Sequence, residues 1–237
     1  SGISISNGTG TASNYTLTGG THSFSIAKRA ISVNGTRLYD ATTNAEASDL
    51  STQTNLVGSQ TLILLGTGTI AGRNVESNKT LSVGTLTLAD GSNGGLAANY
   101  TLSGGTHQLT VTQRPLNSSG SKTYDSNTDA LANAITLSNL AGGETLVHSG
   151  TASTSSANAG SYNINNLAGI SIANDSGSAS NYTLTGGTHN FTINKRIVSL
   201  SGGSRQYNGS STAIAADLPT INNLVGSETL TLSGNGV

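Results

Sequence analysis

The stretch Asn14–His22, Asn-Tyr-Thr-Leu-Thr-Gly-Gly-Thr-His, returns at Asn99–His107 with Ser103 in place of Thr, and again at Asn181–His189. Spacings of 85 and 82 residues make the chain a repeat array, so the same packing problem is solved once per unit. Other blocks recur in fixed order. Each Gly-Gly-Thr-His is followed by a short alternating run and then by Lys28-Arg29, Gln113-Arg114 or Lys195-Arg196. Next come Tyr39-Asp40, Tyr124-Asp125 or Tyr207-Asn208, and then Asn55–Gly58, Asn139–Gly142 or Asn223–Gly226. These lead into Gln60-Thr61-Leu62, Glu144-Thr145-Leu146 or Glu228-Thr229-Leu230. Cutting at the basic pair gives two full units, 28–112 and 113–194. Residues 1–27 read as the C-terminal part of a preceding repeat, and residues 195–237 as the N-terminal part of a following one. The absence of Met fits a fragment of a longer array. Units cut in this way leave unpaired edges, which invite association.

Composition narrows the function classes. Only 9% of residues are charged and the net charge is −1, so the basic footprint that nucleic acid requires is missing. Cys is absent, which excludes disulfide and thiol chemistry. No apolar run reaches the ~18 residues of a membrane helix, and no membrane insertion is expected. Solubility comes from Ser, Thr, Asn and Gly rather than from Lys and Glu, which suits an extracellular β-protein better than a cytosolic enzyme.

Hydrophobic periodicity is two almost everywhere. His22, Phe24 and Ile26 share one face, as do His107, Leu109 and Val111, and His189, Phe191 and Ile193. Further strands are expected at Ile31–Val33, Thr61–Leu65, Thr80–Val83 and Thr85–Leu88, punctuated by Gly-Gly, Asn-Gly and Asp-Gly turns. The Ala-richer stretches 41–50, 126–135 and 210–218 are the one place for a helix. Their Thr content and Pro219 favour extended chain. The apolar phase is even at Phe24 and Ile26 and odd at Ile31 and Val33. A continuous strand would flip its buried face there, so the basic pair marks a bulge or a module junction. The expected fold is all-β: tandem small β-sandwich modules, Ig-like or β-grasp-like, joined with almost no linker into an elongated rod. A parallel β-helix is the alternative, although its coils repeat every 20–30 residues.

The basic pair, Tyr39–Thr43 (Tyr-Asp-Ala-Thr-Thr), Leu224–Gly234 and Asn99–Thr106 together resemble the YDG-type repeats of large bacterial secreted adhesins of the filamentous-haemagglutinin kind. The resemblance covers essentially the whole chain. It departs at the signature, where Ala41 and Ser126 stand in place of Gly and the third copy reads Tyr207-Asn208-Gly209. It implies export by two-partner secretion, a cell-surface location, and a stalk or spacer role in adhesion or biofilm formation. It carries over no catalytic residue and no cofactor.

The chain's own residues agree in offering no chemistry that repeats. His22, His107 and His189 lie one per unit and do not cluster, so a strand-end histidine bonded to a nearby carbonyl is the expected role. His148 replaces Leu64 and Leu232 of the other copies. Asp40 and Asp125 become Asn208 in the third copy, which keeps turn formation but loses charge. Tyr39, Tyr124 and Tyr207 are expected to pack on the module and tie the hydroxyl to backbone. Gln60 likewise shows that charge is dispensable at the Glu144/Glu228 position. Arg29, Arg114 and Arg196 are constant, and a planar guanidinium at a junction can clamp carbonyls of a neighbouring module. The loops Asp90–Gly94 and Asn174–Ser176 offer one carboxylate each, too few for calcium. Neighbouring repeats are the expected partners. A polar Asn/Thr-rich sheet leaves open a second reading, multivalent binding of exopolysaccharide or host glycan by the modules themselves.

Overall fold

The structure is a computed structural model that describes residues 2–164, 167–218 and 220–236. Pro219, used above to disfavour a helix, lies outside these residues. Among the described residues, every helical segment is a three-residue 3-10 turn, and all other regular structure is β.

Residues 29–112 form β1 (Arg29–Ala30), β2 (Ser32–Leu38), β3 (Asn44–Glu46), β4 (Thr52–Thr54), β5 (Leu62–Leu65), β6 (Thr67–Ile70), β7 (Glu76–Ser82), β8 (Thr87–Asp90), β9 (Tyr100–Thr101) and β10 (Gln108–Thr112). The main sheet runs β3-β6-β7-β10-β2-β4, and β5 pairs separately with β8. At its centre β10 lies parallel to β2, from Gln108 opposite Asn34 to Thr112 opposite Leu38. The flanking ladders are antiparallel. The strands expected at Ile31–Val33, Thr61–Leu65, Thr80–Val83 and Thr85–Leu88 fall within or beside β2, β5, β7 and β8, with shifted ends.

The second unit repeats the plan with β11 (Arg114–Pro115), β12 (Asn117–Thr123), β13 (Asp129–Leu131), β14 (Ile135–Ser138), β15 (Leu146–Ser153), β16 (Gly160–Asn163), β17 (Ile170–Asn174), β18 (Tyr182–Thr183) and β19 (His189–Asn194). Its sheets run β14-β12-β19-β16 and β13-β15-β17. The first and last long strands are again parallel neighbours, Ser118 opposite His189 through Thr123 opposite Asn194. Closing a unit by pairing its two ends makes the contact order high but leaves each unit self-contained. Residues 199–236 form two short ladders, β20 (Ser199–Ser201) with β22 (Thr220–Asn222) and β21 (Ala213–Ile214) with β23 (Asn235–Gly236).

Three expectations change. The parallel β-helix is not the architecture, because most ladders are antiparallel and the parallel ones join the ends of a unit rather than successive coils. The 22–26 run forms no strand and pairs with none, leaving Phe24 90% and Ile26 88% exposed. Its counterpart β10 is held by β2 and β7 on its two sides, and residues 2–27 contain no counterpart of either. Asn34-Gly35 is not a turn. Gly35 sits inside β2, where an added Cβ would lie 1.7 Å from the Asp49 carbonyl oxygen of the 3-10 turn packed across it. Gly120 meets Ala134 and Gly203 meets Asp217 in the same way. Glycine within β2 and β12, and at Gly203 just after β20, thus marks a close backbone approach. The same turn occupies the stretch that could have held a helix: a short strand and one 3-10 turn fill each copy.

Period-two alternation does predict burial within the closed units. Leu109, Val111, Phe191 and Ile193 are each at most 1% exposed. The phase change has a structural cause. After β10 the chain leaves the first unit's sheet, and Arg114-Pro115 pairs instead with Tyr182-Thr183 at the far end of the second unit. The buried cluster of unit one does not stop there. It continues through Tyr39 into Leu116, Ala141 and Tyr182 of unit two, each large side chain contributing about 1.5–3 kcal/mol on burial. A second cluster around Ile135, Ile170, Phe191 and Ile193 is the second unit's own core.

Candidate functional site at the unit junction

The Tyr-Asp segment ends the first long strand of each unit. The Tyr39 N–H donates to the Thr112 carbonyl and the Tyr124 N–H to the Asn194 carbonyl, both at 2.9 Å, fixing each tyrosine at the end of the central parallel pair. Asp40 then forms a side-chain turn, its Oδ1 accepting from the Thr42 N–H at 2.9 Å. Asp125 accepts from Asn127 at 3.2 Å, and Asn208 accepts from Ser210 at 3.1 Å. Asp and Asn therefore do one job here, as the substitution implied. Their charge difference is used by a residue the sequence reading passed over, two positions before each tyrosine. Arg37 reaches Asp40 at 2.6 Å and the Thr42 carbonyl at 2.7 Å, and Lys122 reaches Asp125 at 2.8 Å. Arg205 binds the Ser210 carbonyl at 2.6 Å. A basic residue at this spacing in all three copies was the available signal.

The residue after each Tyr-Asp or Tyr-Asn pair takes a left-handed conformation, with φ of 66° at Ala41, 64° at Ser126 and 78° at Gly209. Only glycine adopts this without steric cost. This accounts physically for glycine at the third signature position.

The tyrosine hydroxyl does not go to backbone. Tyr39 Oη donates to Oε1 of Glu144, in the next unit, at 2.7 Å. Tyr182 Oη donates to Oε2 of the same carboxylate at 2.7 Å and accepts from the Ala141 N–H at 3.1 Å. The two rings meet edge to face, 5.5 Å apart at 81°, a favoured aromatic geometry. Glu144 is only 7% exposed, and the Arg73 guanidinium of the first unit closes on it at 3.1 Å. Burial, the bond to Glu144 and its negative charge together push the Tyr39 phenol up to about 12, with Arg73 opposing. Burial and the same carboxylate also raise Tyr182. The position is filled by Gln60 in unit one, whose side-chain oxygen accepts the Tyr100 hydroxyl. The common requirement is thus an acceptor oxygen, and the charge is used only where an arginine faces it.

Each constant arginine grips the αL asparagine of its own unit. Arg29, Arg114 and Arg196 donate through Nε to the carbonyls of Asn55, Asn139 and Asn223 at 2.7 Å. Their Nη2 atoms reach the same asparagines' Oδ1 at 2.7, 2.8 and 2.8 Å. The asparagine Nδ2 returns a bond to the residue after each arginine, Ala30, Pro115 or Ile197. The expected clamp across units is the smaller part of this role. Arg114 Nη1 reaches the Tyr39 carbonyl at 3.3 Å, and Arg196 Nη1 reaches the Tyr124 carbonyl at 3.4 Å.

The histidines close a loop within each repeat. Nε2 donates to the carbonyl five residues earlier at 2.8 Å in His22, His107 and His189. In His107 the other nitrogen faces the Val33 N–H at 3.2 Å, which can only donate, so this ring is the neutral Nε2–H tautomer. His148 bonds the Ala132 and Ile135 carbonyls within its unit. Asp90 and Asn174 cap the following 3-10 turn through the Ala97 and Ala179 N–H groups at 2.8 Å. Among the described residues no group of three potential metal ligands converges, and no helix is long and apolar enough to cross a membrane.

A family model described as the YDG domain matches residues 27–109 and 105–189. No curated protein and no solved structure matches the chain.

Proposed function

Since the chain belongs to the YDG domain family, we propose that its units are structural stalk or spacer repeats of a large secreted or cell-surface bacterial adhesin, supporting adhesion or biofilm formation. The observation that carries this reading is the destination of the repeat-constant polar groups. Tyr39 crosses the boundary between units to Glu144, where Tyr182 joins it. Arg114 and Arg196 add bonds to the carbonyls of Tyr39 and Tyr124 in the preceding unit, and the histidines bond backbone within their own repeat. Groups spent on holding one unit to the next support a mechanical role. The buried cluster running through the junction supports stiffness, because bending there would open apolar surface to water.

The same observations support a rod of tandem all-β units, each closed by parallel pairing of its first and last long strands. Small-angle scattering at low protein concentration tests the reading. The expected particle is long and thin, its maximum dimension growing in proportion to the number of units. A compact particle of unchanged length when a unit is added would overturn it.

A further inference from the structure

In each full unit the chain enters and leaves through neighbouring strands. β2 and β10 are parallel, with Asn34 opposite Gln108 and Leu38 opposite Thr112. β12 and β19 repeat this from Ser118 opposite His189 to Thr123 opposite Asn194. Because the two strands run the same way, the start of the first and the end of the second lie at opposite ends of the pair, on the order of 15 Å apart at a strand's rise per residue. Tension along the chain therefore pulls the strands past each other along their own axes, and every bond between them is loaded at once. Were the end strands antiparallel, entry and exit would lie at the same end, and the same tension would peel the bonds off one at a time.

Position and side chains reinforce the pair. Both strands are interior, in the orders β7-β10-β2-β4 and β14-β12-β19-β16, so neither offers an open edge. Sliding would drag Val33, Leu109 and Val111, or Phe191 and Ile193, each at most 1% exposed, through a close-packed core. Repeat-constant residues bracket the pair. At the entry, His107 Nδ1 accepts from the Val33 N–H at 3.2 Å, and His189 Nδ1 meets the Ser118 hydroxyl at 3.0 Å. At the exit, the Tyr39 and Tyr124 N–H groups close on the Thr112 and Asn194 carbonyls. Arg114 and Arg196 then reach the carbonyls of those tyrosines, which ties the next unit to the end of the pair where the load leaves.

We propose that each full unit is a load-bearing clamp, in which the parallel pair of end strands carries chain tension in shear and passes it to the next unit. The inference deepens the stalk reading, and its use at a cell surface rests on that reading. It adds resistance to being pulled apart to the role of spacing one site from another. The ladders of β3 with β6 and β5 with β8 lie between the clamp strands in sequence, so they carry no tension until the clamp fails.

The direction of pulling makes the test specific. The chain has no cysteine, so two introduced thiols define where a single molecule is held for force spectroscopy. Lys28→Cys with Gln113→Cys loads the first unit's clamp in shear. Lys28→Cys with Ser103→Cys holds β1 and β9, which are also parallel neighbours, beyond opposite ends of neither, and peels the two segments apart from their shared start. These positions are exposed, and forced unfolding is governed by the barrier along the pull rather than by equilibrium stability. At one pulling rate the unfolding force in shear should be at least about twice that in peeling, because five registered pairs share the load in the first and one pair at a time carries it in the second. Gln113→Cys with Lys195→Cys should give a comparably high force for the second unit. Equal forces in the two directions, or a second unit that yields at the peeling force, would overturn the proposal. Scattering reads shape and not resistance, so the stalk and the clamp can fail separately.

Discussion

The two junctions begin from the same pair and end differently. At the first, Tyr39 and Glu144 are joined by Tyr182 and Arg73, and the carboxylate is buried. Asn181 adds a third tie there, accepting from the Val75 N–H at 2.9 Å and donating to Asn74 at 3.0 Å, itself 1% exposed. At the second, Tyr124 donates to Glu228 at 2.5 Å, but Glu228 is exposed and has a cavity beside it. The Tyr–Glu pair alone does not make a dry contact. A second tyrosine and a countercharge from the neighbouring unit remove the water, and only then does the hydrogen bond become costly to break.

That contrast should appear most strongly in Glu144→Ala. Removing the carboxylate strands two buried phenols and Arg73, so a loss of about 3 kcal/mol is expected from urea unfolding. Glu228→Ala should leave the midpoint unchanged within error. Equal effects at the two sites would erase the distinction. Glu144→Gln sharpens it. An amide oxygen can accept one tyrosine, as Gln60 does, so the loss should fall to about 1–2 kcal/mol.

Tyr39→Phe is expected to cost about 1–2 kcal/mol, because Glu144 loses a buried donor. Tyr124→Phe should shift the unfolding curve much less.

Alkaline titration combined with Tyr39→Phe isolates the first junction's share, since the phenols of Tyr182 and Tyr124 are raised as well. The Tyr39 pKa is raised from 10.0 to about 12 in the folded chain. Its contribution is therefore complete below pH 10 and is lost as pH rises toward 12. Unfolding midpoints measured from pH 9 to 12 should fall across this window. In Tyr39→Phe the fall should be shallower, and an unaltered slope would remove Tyr39 as its source.

The smallest expected effect is a gain. Ser126 is exposed with φ of 64°, so Ser126→Gly should stabilise by about 0.5–1 kcal/mol by relieving the left-handed strain. Ala41→Gly should gain less, because the Ala41 methyl packs close to Gly142 across the first junction. Thermal melts of the two variants give the order directly.

Local signals in the sequence determined the repeat, its two full units, the β class and the alternation that buries Leu109, Val111, Phe191 and Ile193. These follow from spacing and side-chain period, which act over a few residues and survive in every copy. The shared turn role of Asp40, Asp125 and Asn208 was legible for the same reason, since comparison of copies separates shape from charge. Tertiary structure alone decided what the tyrosines and the glutamate do. Tyr39 and Glu144 lie 105 residues apart, and no local pattern states that the hydroxyl crosses to the next unit instead of returning to backbone. Gln60 made the glutamate position look indifferent to charge. It is indifferent only where no arginine approaches, and Arg73 lies on the loop between β6 and β7, whose counterpart between β15 and β16 carries no arginine. Gly35 reads as a turn beside Asn34 until the fold lays the Asp49 carbonyl across it. Close approach between segments distant in sequence sets these roles, and that distance is fixed by packing rather than by composition.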